Sequence, residues 1–236
     1  MTHFVAFLLA AILLVPALLV AIPVHELGHA VAAYFLGDRS VRYFGYFTLN
    51  PRRFLDPLGA IAVLIALVGW GKRVPVQPNR ISTPAQKVIF ELGGPAANLA
   101  VAIVLGVVIR ILIHAHAPFS LSLSAGLIPE AIFVITFLNL SLFAFQLLPI
   151  PGLDGWNVIE AIFRPRNPRF FFNVNTRRRE IWIGCVVAIL LWQLLQCGSL
   201  LSFVMTPFFY PASLISLGGC AGYAIPGFNG LSPCPP

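Results

Sequence analysis

Charge is what this sequence has least of. Only 10% of its 236 residues are Asp, Glu, Lys or Arg, against 58% hydrophobic, and the mean hydropathy is +0.89. Soluble domains carry about 25% charged residues, so this scarcity excludes a soluble globule and points to a membrane protein. The length suits one helical domain of several spans and leaves no room for a sizeable soluble module. Acidic residues are scarcer than basic ones, 8 against 15, yet the basic excess is not a nucleic-acid footprint. It punctuates apolar runs, as the positive-inside bias of membrane proteins does. The expected surroundings are a lipid bilayer, with no nucleic-acid partner. Cysteine is also rare: Cys185, Cys197, Cys220 and Cys234 lie in the last quarter and show no CxxC spacing. Cys185 reads as a small buried hydrophobe, and only Cys220 with Cys234 is a candidate pair, if the tail faces an oxidising compartment. The N-terminus MTHFVAFLLA lacks the positive n-region of a signal peptide, so it is expected to be retained.

What is abundant is apolar runs, at about 4–36, 57–70, 88–113, 127–148 and 181–217. A crossing needs about 20 helical residues. The first run is longer than that: either Pro16 and Pro23 kink it, or its beginning lies along the interface. The run 57–70 is too short and reads as re-entrant. The last run is one tilted helix or a hairpin broken at Gly198. Basic side chains cluster in 37–87 (eight) and 164–179 (six), with Arg110 the one outlier. If 57–70 does not cross, two crossings separate the clusters and both face the cytoplasm. No charged residue follows Glu180, so the side of the C-terminus stays open, as does the oligomeric state. The stretch VRYFGYFTLN, 41–50, has strand-like composition and rough alternation, with an aromatic interfacial loop as the equal alternative.

Against this apolar background stands PVHELGHA, residues 23–30. Residues four apart share a helix face, so His25 and His29 present two imidazoles to one cation. Glu26 beside them can take a proton from water that the metal activates. This is the HExxH arrangement, and ionisable groups within a span are costly and usually functional. A catalytic zinc needs a third protein ligand. With Phe35–Gly37 as the cytoplasmic end, His29 lies about 10 Å and His25 about 16 Å deep. Asp154, in LLPIPGLDGW, reaches up to about 15 Å from the same face, in a segment broken by Pro149 and Pro151. It is the candidate ligand, or else it caps a helix beginning at Gly155. His114 and His116 read as interfacial on the far side. Glu91, Glu160 and the far-side Glu130 sit near segment ends, where solvation is cheap, and are given no chemistry.

HELGHAVAAYFLGD, FTLNPRRFLDPLG, GWGKRVPVQP, GGPAANL and NLSLFAFQLLPIPGLDG together resemble the site-2 proteases, peptidase family M50, in their compact bacterial and archaeal form, over about residues 22–160. The resemblance implies an all-α polytopic membrane protein. Its core would be three transmembrane helices with a short membrane-associated β segment and a re-entrant region, followed by one or two C-terminal helices. It implies one zinc ion held by His25, His29 and Asp154, with Glu26 as catalytic base. The substrate would be a transmembrane protein or peptide, unwound and held by an extended segment, which favours a strand at 41–50. The metalloprotease core would occupy 1–165, and 166–236 a basic cytoplasmic loop, hydrophobic helices and an uncharged tail. The host membrane would be a prokaryotic plasma membrane, with the active site nearer the cytoplasmic face.

Two positions depart from the family pattern. Gln146 stands where Asn is common in FNLLP, and Gly152 where PIPPLDG has its second adjacent proline. Gln146 and Asn98, the latter about 16 Å deep counted from Lys87, are candidate amides for the substrate backbone; Asn98 serves equally as an interhelical hydrogen-bonding residue. The competing functional class is a degenerate relative that binds transmembrane segments without cleaving them, favoured by Gln146 and opposed by the intact HELGH and Asp154. A zinc transporter ranks third, because a path needs several metal stations and the sequence offers one.

Overall fold

The computed structural model describes residues 2–54, 72–114, 127–194 and 200–218, and they are helical with short connections. Helices α1 (Thr2–Phe35), α4 (Pro84–His114), α5 (Leu127–Gln146), α6 (Asp154–Phe163), α7 (Pro168–Thr176), α8 (Arg178–Leu194) and α9 (Leu200–Leu217) are joined by single turns α2 (Ser40–Tyr43) and α3 (Pro51–Phe54). Among the described residues two helices are long and apolar enough to cross a membrane, Leu14–Phe35 and Pro84–Leu112; Ala131–Gln146 and Phe203–Leu217 are shorter apolar helices. The outer faces agree with that composition: Val104 and Ile111 on α4 are both more than 60% exposed.

Two sequence expectations meet a definite outcome. The strand at 41–50 is not formed: 40–43 coil into α2, turns and bends follow, and no strand occurs among the described residues. The reason is local. Asp38 accepts hydrogen bonds from the Ser40 N–H (3.1 Å) and hydroxyl, which starts a helical turn, and Gly45 at φ 74° turns the chain again. The proposed re-entrant run 57–70 and the Cys220–Cys234 pair lie outside the described residues. The last apolar run divides into two helices, α8 and α9. Helix α1 contains both Pro16 and Pro23 within one helical assignment.

α4 is the central helix, packed against α1, α5, α6 and α9. Its contact with α1 is backbone on backbone: a methyl group added at Gly93 would lie 2.8 Å from both Ala32 Cβ and the Gly28 carbonyl oxygen. Small residues that let helices approach this closely are the usual device of membrane helix pairs. On the other side, Ala102 and Ile109 of α4 join Leu140, Ala144 and Phe145 of α5 and Met205, Phe209 and Ala212 of α9 in one buried cluster.

α1 ends in a Schellman motif. Gly37, at φ 101°, donates to Tyr34 O, and the Asp38 N–H donates to Ala33 O. This turn buries Asp38 at 1% exposure, where its second oxygen accepts the Gln77 N–H at 2.8 Å. The non-helical segment 72–77 is thereby fastened to the end of α1, and Val74 and Ile81 pack there with Ala30, Ala33, Val41 and Phe54. Burial alone would raise the Asp38 pKa, but the hydrogen bonds from Gln77 and Ser40 and the charge of Arg80 outweigh it and hold it below the usual carboxylate value.

A depressed carboxyl pKa stabilises the fold above the unfolded value, near 3.9, and that contribution fades as pH falls toward the folded value. Asp38→Asn should therefore flatten the acid limb of stability measured by thermal melting in detergent between pH 7 and pH 3. Gly93→Ala should lower stability by about 1–3 kcal/mol through overpacking. Gly184→Ala, where an added methyl meets nothing within 4 Å, should leave the melting temperature level or raise it, since Ala exceeds Gly in helix propensity by about 1 kcal/mol.

Candidate metal centre

Helical spacing places His25 and His29 one turn apart on the inner face of α1, with their Nε2 atoms 3.1 Å from each other. The His29 Nδ1–H donates to the Phe90 carbonyl at 2.8 Å, which fixes the tautomer and leaves the Nε2 lone pair facing inward. Room for both rings comes from Gly94 of α4, where any side chain would collide with both imidazoles. His25 Nδ1 is buried and has no hydrogen-bond partner.

Asp154 reaches the same point from a different part of the chain, 125 residues beyond His29. Its Oδ2 lies 3.1 Å from His25 Nε2 and 3.2 Å from His29 Nε2. All three side chains are buried, at 5% exposure or less, and their ligand atoms lie within 4.8 Å of one another. Ligands at about 2.0–2.1 Å from a tetrahedral zinc stand about 3.3 Å apart, so the observed triangle has nearly the dimensions such an ion requires. The donor set, two imidazole nitrogens and a carboxylate, is that of a zinc site. Lone pairs held this close in a buried site repel unless a cation or proton lies among them.

The capping alternative for Asp154 is not realised. Leu153 is the N-cap, no side chain caps α6, and Asp154 is the first helical residue. Its other oxygen, Oδ1, accepts a hydrogen bond from Arg73 at 2.6 Å. A charge-assisted bond of this length holds the carboxylate with Oδ2 toward the imidazoles. Arg73 belongs to the 72–77 segment, and the next residue supplies the Val74 N–H to Glu26 Oε2 at 3.2 Å. One short segment therefore orients both carboxylates beside the histidines.

Glu26 is 5% exposed. With His25 and Asp154 it lines a cavity of about 420 Å³, whose wall also includes Gln146, Gly152 and Trp182. Asn98 is fully buried, and neither atom of its amide has a partner. It stands one turn beyond Gly94 on the same face of α4. Gly152 adopts φ 124°, a value closed to proline, whose ring fixes φ near −65°.

Glu91 and Glu160, expected to be freely solvated, are partly buried and paired. The Glu91 side chain is 13% exposed, lies 3.7 Å from Arg73 and accepts a hydrogen bond from Asn157 Nδ2 at 3.0 Å. Glu160 accepts from Arg164 and Asn175. Both line an open cavity of about 550 Å³ where α4 and α6 meet. Sequence reading also missed Arg73, counted only as an orienting charge, and Asp38. No spacing rule links Arg73 to Asp154 across 81 positions.

No protein-family model matches the chain, and no solved structure does. Among curated proteins it is similar to "Putative zinc metalloprotease YwhC" of Bacillus subtilis (strain 168), 37% identical over 153 residues, covering 64% of this chain and 69% of YwhC. It is also similar to "Putative zinc metalloprotease Rip2" of Mycobacterium tuberculosis (strain H37Rv), 38% identical over 157 residues, and to that of Mycolicibacterium smegmatis, 37% identical over 165. The matches cover 64% and 67% of this chain but 57% and 60% of those two proteins, less than two thirds of their length. With its motif series and this degree of identity, the chain belongs to the site-2 protease family of zinc metalloproteases.

Proposed function

We propose that the chain is an intramembrane zinc metalloprotease that hydrolyses peptide bonds in or beside transmembrane segments of other proteins. The observation that carries this reading is the convergence of His25, His29 and Asp154, with Glu26 on the same cavity, between apolar helices. α1, α4 and α5 would be the three core crossings, and the basic clusters would face the cytoplasm of a prokaryotic cell.

A zinc ion held by His25, His29 and Asp154 would lower the pKa of water toward neutrality and polarise the scissile carbonyl. Glu26 then accepts the proton of the attacking water and delivers it to the leaving amine. The Val74 N–H on Oε2 keeps one carboxylate oxygen engaged, so the other is the one turned to the substrate. Asn98 and Gln146 supply the amides for the unwound substrate backbone, a role favoured by the unpartnered Asn98 amide and the place of Gln146 on the cavity wall. Arg73, by holding Asp154 Oδ1, is a positioning residue. Among the described residues there is one such metal-ligating group, which favours an enzyme over a transporter. Gln146 keeps the non-cleaving binder as the second reading.

Glu26→Gln should lower cleavage of a transmembrane substrate by about 10²–10⁴-fold while metal analysis still finds about one zinc per chain. Normal turnover in that variant would refute the role of Glu26, and no turnover in either protein would favour the binder. Asp154→Ala should lose most of the zinc after dialysis against a weak chelator, with helix content by circular dichroism retained. Full zinc retention would remove Asp154 from the ligand set.

A further inference from the structure

The cavity that holds Glu26 is unusually basic for an apolar protein. Three guanidiniums, those of Arg73, Arg178 and Arg179, face it together with two carboxylates, Glu26 and Asp154. Arg73 is already engaged with Asp154 and Glu91. Arg178 is not: half-buried at the start of α8, it makes no ion pair or hydrogen bond through its guanidinium among the described residues. Burial, and then the positive charge of Arg73, push its pKa below the ordinary arginine value. Glu91, Glu160 and Asp154 attract it from farther off without pairing with it. A partly desolvated guanidinium with no directly bonded carboxylate is costly, and a ligand carboxylate would offset that cost in bidentate geometry.

It lies with Trp182 against the Gly152 turn. Arg178 Nε would lie 3.8 Å from a methyl group added at Gly152, and Trp182 Cε3 3.7 Å from it. Trp182, one turn along α8, is braced edge-on against Phe145 with ring centroids 6.3 Å apart. Gly152 precedes Asp154 by two residues, and Arg178 lines the same cavity of about 420 Å³ as His25, Glu26 and Asp154. An extended chain advances about 3.3 Å per residue, so about three residues of substrate span a cavity of that size.

We propose that Arg178 is a specificity-determining residue that binds a substrate carboxylate within about three residues of the scissile bond, with Trp182 as the adjoining apolar wall. This rests on the proteolytic reading above and names the class of substrate it takes. The carboxylate is an Asp or Glu side chain or the free C-terminus of a previously trimmed segment. The two sources share one chemistry.

The test uses the full-length, detergent-purified chain and a series of otherwise identical apolar peptides. Each carries a single Asp, or Asn in its place, at one position, and each is made with a C-terminal acid and with a C-terminal amide. Cleavage is measured as kcat/KM with the zinc-loaded protein, and binding by fluorescence anisotropy with metal-free Glu26→Gln protein. At one position near the cleaved bond, Asp should exceed Asn by about tenfold in both assays, as a charge-assisted hydrogen bond permits. That ratio should fall to about one in Arg178→Gln, return in part in Arg178→Lys, and drop below one in Arg178→Glu. A preference for the acid over the amide terminus alone, lost in Arg178→Gln, would support the site and identify the chain end as its ligand. Equal handling of every Asp–Asn and acid–amide pair by the wild type, or a preference untouched by Arg178→Gln, would overturn the proposal. Binding selectivity without any cleavage would refute the protease reading and leave the carboxylate site standing.

Discussion

Everything distinctive in this structure depends on one carboxylate, that of Asp154, being shared. Oδ2 closes a triangle with two imidazole nitrogens, and Oδ1 receives Arg73. A lone carboxylate with 1% exposure among apolar helices would carry a large desolvation cost. Here Oδ1 has the Arg73 guanidinium, and Oδ2 faces two imidazole nitrogens across a gap of the size a shared cation or proton fills. The consequence for the fold is tight coupling between distant pieces of chain. α1, the 72–77 segment, α4 and α6 must all be in place before all of these charges are satisfied, because Arg73 also approaches Glu91 and Glu91 is held by Asn157.

Glycine makes that convergence possible, and apolar packing makes it rigid. Gly28 and Gly93 bring two backbones together, and Gly94 opens the space the imidazoles fill. Behind them, the cluster of α4, α5 and α9 residues leaves few polar atoms unpaired. Among the described residues the exceptions are both amide atoms of Asn98, one helical turn from Gly94, His25 Nδ1, and Asn139 Oδ1 on α5. Unsatisfied buried polar groups are uncommon, and two of the three residues that carry them, Asn98 and His25, adjoin the candidate metal centre.

How much of this was legible in the sequence follows from what kind of signal each part leaves. His25, Glu26 and His29 announce themselves as candidates because a helical repeat places two imidazoles four apart in one short string. Asp154 was legible through depth arithmetic and a broken helix, and the fold brings it to the histidines. Arg73, Val74 and Asp38 were not, because their roles arise from a turn and a strap whose geometry has no periodicity. Residues 41–50 misled for a related reason. Their Val, Tyr, Phe and Thr content suits a strand, but Asp38 with Ser40 starts a helical turn first, and β composition carries little weight without a partner strand. Glu91 and Glu160 misled because position near a segment end was equated with free solvation, whereas polar side chains of neighbouring helices pair with both.

The near-contact of α1 and α4 has a consequence for which parts of the molecule can give way. Main chains that touch at Gly28 and Gly93 cannot shift without breaking that contact. The cavity wall at Trp182 and Gln146 is made of side chains, which can change rotamer while the backbones stay where they are.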